Sequence, residues 1–123
     1  MKPRAKKPFA GEAGLQQSII QYIKMQYPNA LYCASAGGMF TSMKQAIKMK
    51  ATGYVKGFPD LQICEPVGKY FGLFIEVKTE KGVVSKEQKE WIKELNKRGY
   101  FATYVKGFES AQKVIDDYFK GAI

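Results

Sequence analysis

The sequence predicts an α/β domain, a central mixed β-sheet flanked by helices, in the order αβαββαβα. Three observations predict it. Apolar residues recur at helical spacing in four stretches, and short β-rich runs lie between them. The length of 123 residues suits one core rather than two domains. Hydrophobic residues make up 46% and charged residues 25%, a globular balance that excludes disorder over most of the chain.

Residues 1–10 hold Pro3, Pro8 and the cations Lys2, Arg4, Lys6 and Lys7, and read as a flexible basic arm ahead of one domain at 11–123. No apolar stretch follows this basic start, so it is not a signal peptide. No run approaches the ~18 apolar residues of a bilayer span, so no membrane segment is expected. Leu15, Ile19 and Ile23 give a first helix at 12–27, which Pro28 stops. Residues 30–35 form a strand ended by Gly37 and Gly38, and residues 39–51 a second helix with Phe40, Met43 and Ile47 turned inward. The strands at 61–65 and 71–78 are joined by the turn at 66–69, short enough to imply an antiparallel hairpin. Ser85 caps a third helix at 85–98, and Gly99 follows its end. Residues 100–105 form a strand, reached by a helical crossover that favours parallel pairing. Phe108, Ala111, Ile115 and Tyr118 share one side of a last helix at 108–119.

There is no histidine. This removes Ser-His-Asp and Cys-His hydrolases, nucleases with a His base and every His-ligated zinc site. Acid–base or metal chemistry must run on carboxylates, Lys, Tyr, Cys or water. Cys33 and Cys64 each sit in an apolar, strand-like segment with no CxxC pair, and are expected to be reduced core thiols. A reducing, cytoplasmic setting follows.

The net charge of +9 is uneven. Residues 1–60 hold nine basic and two acidic residues, and residues 61–123 eleven and nine. A strongly basic half suggests a polyanionic partner, and nucleic acid suits it better than a membrane because no Lys-rich helix carries aromatic anchors. Lys44 and Lys48 share a helix face, and with Lys56 they are the candidate DNA-phosphate contacts; solvated surface is the plainer reading of each. The two acids of the basic half, Glu12 and Asp60, stand out. Gln16, Ile19 and Ile23 fall within about 40° of Glu12 around the first helix, so Glu12 lies at the end of the buried stripe. A carboxylate in a first turn also favours the helix dipole.

The informative stretch is Gly57-Phe58-Pro59-Asp60, then fifteen residues, then Glu76-Val77-Lys78. Glu76 and Lys78 are two apart on a strand and project from one face, with Val77 on the other. Pro59 fixes its own φ and restricts Phe58, which makes the approach to the strand rigid. The hairpin can bring Asp60 beside Glu76. Two adjacent carboxylates repel unless a cation sits between them. Oxygen ligands without His or thiolate suit Mg²⁺ or Mn²⁺. Such an ion can polarise a phosphodiester and lower the pKa of an attacking water, while Lys78 orients the water or stabilises developing charge. No organic cofactor is expected.

Pro59-Asp60…Glu76-Val77-Lys78 resembles the motif of the PD-(D/E)XK nuclease superfamily, whose core is restriction-endonuclease-like. The helical Glu12, the run 53–61, Glu76-Val77-Lys78, Ser85-Lys86-Glu87-Gln88 and Trp91 together look like its VRR-NUC branch, over residues 12–118. The resemblance implies Glu12 as the helix-borne acid near the metal, Asp60 and Glu76 as metal ligands, and the Val77 carbonyl as a further one. It implies Lys78 as the catalytic lysine and Gln88 as a polar residue facing the site. The branch is similar to Holliday-junction resolvases. The resemblance therefore implies a structure-specific endonuclease on branched DNA, with DNA repair as its setting. Two symmetric cuts on a junction are easiest for a homodimer. An encoding phage or mobile element would fit so small a nuclease.

Gln88 has a second reading, since Ser85-x-x-Gln88 is also a capping box. Ser35, at a strand end, could reach substrate, but Ser in that position is usually a turn residue. A basic module that binds DNA without cutting it remains the competing function; the Asp60, Glu76 and Lys78 set weighs against it, because buried charges are costly unless paired or metal-bound. A nuclease of flap, nick or plain duplex preference is the other alternative, and RNA stays open as substrate.

Overall fold

Four helical stripes and four short β-rich runs fold into a four-stranded sheet of order β1-β2-β3-β4, with helices packed against both faces. The computed structural model describes residues 9–35 and 42–123. The expected arm up to residue 8, together with Gly37, Gly38 and Phe40, lies outside the described residues. The elements run α1 (Gly11–Gln26), β1 (Tyr32–Ala34), α2 (Met43–Ala51), β2 (Leu61–Ile63), β3 (Leu73–Lys78), α3 (Lys86–Lys97), β4 (Phe101–Lys106) and α4 (Phe108–Phe119). β1 and β2 pair antiparallel, as do β2 and β3, whereas β3 and β4 pair parallel across α3. The sheet is mixed, and the order is the one the sequence predicts.

β3 is a central strand with both faces covered, so it reads as an almost unbroken apolar run. Leu73, Ile75 and Val77 join the larger core with Ile19 and Ile23 of α1 and Ala111, Ile115 and Tyr118 of α4. Phe74 turns to the other face, against Leu95 of α3 and Ala102 of β4. Alternation then puts Glu76 on the Phe74 side, where it is only 2% exposed. α1 and α4 are further tied by Asp116, whose Oδ1 accepts from the hydroxyls of Tyr22 at 2.6 Å and Tyr27 at 2.5 Å.

Two expectations need correction. Met43 and Ile47 do not turn inward: they are 79% and 62% exposed, and α2 buries no residue. The sheet faces are already taken by α1, α4 and α3, and α2 is held by its own cap. There Ser42 Oγ accepts from the Gln45 N–H while Gln45 Oε1 accepts from the Ser42 N–H. The cysteines are free, as expected, but both are exposed rather than core thiols. Cys33 sits on an edge strand of three residues and Cys64 just past the end of β2, so an apolar neighbourhood in sequence did not place them inside.

Candidate active site

Strand register aims the first two carboxylates. Leu61 pairs with Ile75, so Asp60, one residue before, lies opposite Glu76, one residue after. Asp60 Oδ2 accepts from the Val77 N–H at 2.8 Å, which ties it to the residue that follows Glu76. Pro59 is fully buried behind it.

The segment leading into Asp60 is fastened to α3. Trp91 Nε1 donates to the Lys56 carbonyl at 3.1 Å, and the Phe58 ring meets Trp91 and Phe74 edge-to-face at 5.1 and 5.8 Å. Gly57 permits this approach. Its φ is +98°, and a Cβ there would lie 2.7 Å from the Glu87 backbone carbon.

Glu76 is the hub. Its Oε1 accepts from Gln88 Nε2 at 2.8 Å and lies 3.5 Å from Lys78 Nζ. Its Oε2 is buried with no partner among the described residues. Burial first, then the neighbouring Asp60 carboxylate, push the Glu76 carboxyl up to about 8, against the pull of Lys78. Gln88 fulfils both of its readings at once. Its Oε1 accepts from the Ser85 N–H at 2.8 Å in the capping box, and the other end of the same amide holds Glu76.

Glu12 arrives from the first turn of α1 and is exposed. One carboxylate oxygen each from Glu12, Asp60 and Glu76 lie within 4.8 Å of one another. Three carboxylates this close repel without a cation, and a cation would satisfy the buried Glu76 oxygen that has no partner among the described residues. The donors are all hard oxygens, so the residues fit Mg²⁺ or Mn²⁺. They border a cleft of about 1050 Å³, which Lys78, Gln88, Lys56 and Ser35 also line.

Of the three candidate phosphate contacts, Lys56 lines this cleft, whereas Lys44 and Lys48 lie exposed on α2 and do not. The Val77 side chain is in the core. Sequence reasoning passed over Phe9 and Gln17, which line the cleft on the α1 side. It favoured a turn role for Ser35. The Ser35 N–H donates to the Asp60 carbonyl at 2.8 Å, and its hydroxyl is buried without a partner among the described residues. Nothing in the local pattern marks Gln17, because a polar residue beside an apolar stripe ordinarily faces solvent.

Comparison with known proteins bears on the family and the fold. The VRR-NUC domain model matches residues 6–109. A solved structure described as a VRR_NUC domain protein superposes with a TM-score of 0.78 at 31% identity, covering 90% of this chain and 89% of that one. A second, described as a VRR_NUC domain, has a TM-score of 0.55 at 23% identity over 83% of this chain and 95% of that one, and supports the fold. No curated protein matches the sequence.

Proposed function

This chain belongs to the VRR-NUC domain family, a family of nucleases, and from that premise we propose that it is a divalent-metal-dependent endonuclease acting on branched DNA. The observation that carries the reading is Glu76. A carboxylate buried in the sheet, with one oxygen held by Gln88 and Lys78 and the other unpartnered among the described residues, is built to meet a cation.

Glu12, Asp60 and Glu76, with the Val77 carbonyl, would hold Mg²⁺ or Mn²⁺. When bound, such an ion supplies Lewis acidity toward the phosphoryl group and a nucleophilic water at neutral pH. The chain's own residues do the rest. Gln88 fixes the orientation of Glu76. Lys78 puts an ammonium where charge builds on the phosphate. Lys56 meets the incoming backbone in the cleft, and Lys44 and Lys48 serve phosphates further away. Residues 11–123 act as one nuclease domain and residues 1–10 as a basic arm. A homodimer supplies the two cuts that a four-way junction requires.

The test is cleavage of a labelled four-way junction, a flap, a plain duplex and a single strand, with Mg²⁺, Mn²⁺ or EDTA. Metal-dependent cutting of the junction is expected to fall at least about a hundredfold in Asp60→Asn and Glu76→Gln. Salt-sensitive binding with no cutting of any substrate would replace this reading with a DNA-binding module.

A further inference from the structure

Phe9 is a large aromatic left 68% exposed at the mouth of the cleft that holds the acidic cluster. Its position is built rather than loose. Gly14 in the first turns of α1 is buried, and a Cβ there would come within 1.8 Å of the Phe9 carbonyl oxygen, so the glycine lets this backbone lie directly on the helix. Further along the same wall, Gln17 Oε1 is buried and has no partner among the described residues. The lining is mixed. Lys56 and Lys78 offer ammonium groups on one side, and the α1 side adds the Phe9 ring and the amides of Gln16, Gln17 and Gln21 to the charges of Glu12 and Lys24.

We infer that the α1 wall is a nucleobase subsite: Phe9 stacks on a base next to the scissile phosphate, and the Gln17 amide pairs with that base's edge. The inference rests on the nuclease reading above and extends it to the substrate. A phosphate presents only acceptors, whereas a base edge presents donors and acceptors together and so matches an amide. An aromatic face serves any base that has left its stack. With the phosphates met by Lys56 and Lys78 beside the acidic cluster, a base of the same strand is free to turn toward Phe9 and Gln17. The base beside the cut must then be unstacked. The site therefore prefers an unpaired or splayed nucleotide there, which fully paired duplex does not provide.

The experiment maps the cut made by the wild-type protein, then compares that substrate with one lacking the adjacent base. Phe9→Ala is expected to raise KM about tenfold while kcat changes less than about twofold, the loss of one base–aromatic stack, and Phe9→Trp to keep the wild-type KM. Gln17→Leu is expected to raise KM in the same direction. The abasic substrate should cost the wild type at least that factor and cost Phe9→Ala less, because only the Gln17 contact remains to be lost. A Phe9→Ala protein with wild-type KM, or an abasic penalty of equal size in both proteins, overturns the subsite while cutting by the wild type keeps the nuclease reading. Where the wild type cuts nothing, the nuclease reading fails on its own. Binding in Ca²⁺ of a four-way junction with and without a base at the branch point then decides the subsite: non-additive losses support it, and additive ones sink it.

Discussion

Glu76 carries a carboxyl whose proton is held up to about 8, by burial before any other cause and then by Asp60. A raised folded value means that the native state binds this proton more tightly than the unfolded chain, where the carboxyl titrates near 4.5. The metal-free protein has this stabilisation in full below the unfolded value, and loses it as pH rises from 4.5 to about 8. Thermal unfolding in EDTA is expected to show the midpoint falling across that window, and Glu76→Gln to remove that part of the slope. Added Mg²⁺ should act in the opposite sense, because it binds the charged form and stabilises most at the alkaline end. Wild-type and Glu76→Gln proteins with identical pH profiles would show that the proton sits elsewhere.

At the scale of the element, α3 is both a cap and a support for the acidic site. Ser85 and Gln88 close a capping box at its N-terminus, and the free end of the Gln88 amide reaches Glu76. The two roles separate by substitution. Ser85→Ala removes a cap hydrogen bond and is expected to cost about 1 kcal/mol of stability with little change in metal affinity. Gln88→Leu loses the cap contact as well, and releases Glu76, which should weaken Mn²⁺ binding about 10- to 100-fold. Calorimetric titration with Mn²⁺ beside thermal melts reads both quantities; equal metal affinity in the two variants would leave Gln88 as a cap alone. α2 is the opposite kind of element. Its capping box is complete, yet Met43 and Ile47 remain exposed, so local hydrogen bonds form the helix without tertiary burial.

For the whole molecule, a net charge of +9 and an acidic cluster inside a cleft are opposed, and the acidic cluster is the exception that a cation resolves. The dimer expected for junction cutting is a property of two such molecules. Light scattering behind size exclusion at micromolar concentration is expected to give about twice the chain mass of 13.9 kDa. A monomer there, with paired cuts still made in a junction, would mean that two chains meet only on the DNA.

The sequence by itself determined the order of elements and the meeting of Asp60 with Glu76. Both follow from short-range periodicities: helical stripes such as Ile19 and Ile23, the two-residue alternation of β3, and a hairpin too short to pair otherwise. The acidic Glu12 was legible because it sat on an apolar stripe within a basic half. Only the tertiary structure decided which faces found a partner. Met43, Ile47, Cys33 and Cys64 look apolar in sequence and stay exposed, because the sheet faces were filled by other helices. It also decided that Gln88 serves two neighbours and that Phe9 and Gln17 join Glu12 at one cleft. Periodicity gives the direction of a side chain from its own backbone. What lies in that direction depends on elements distant in the chain, and only packing brings those together.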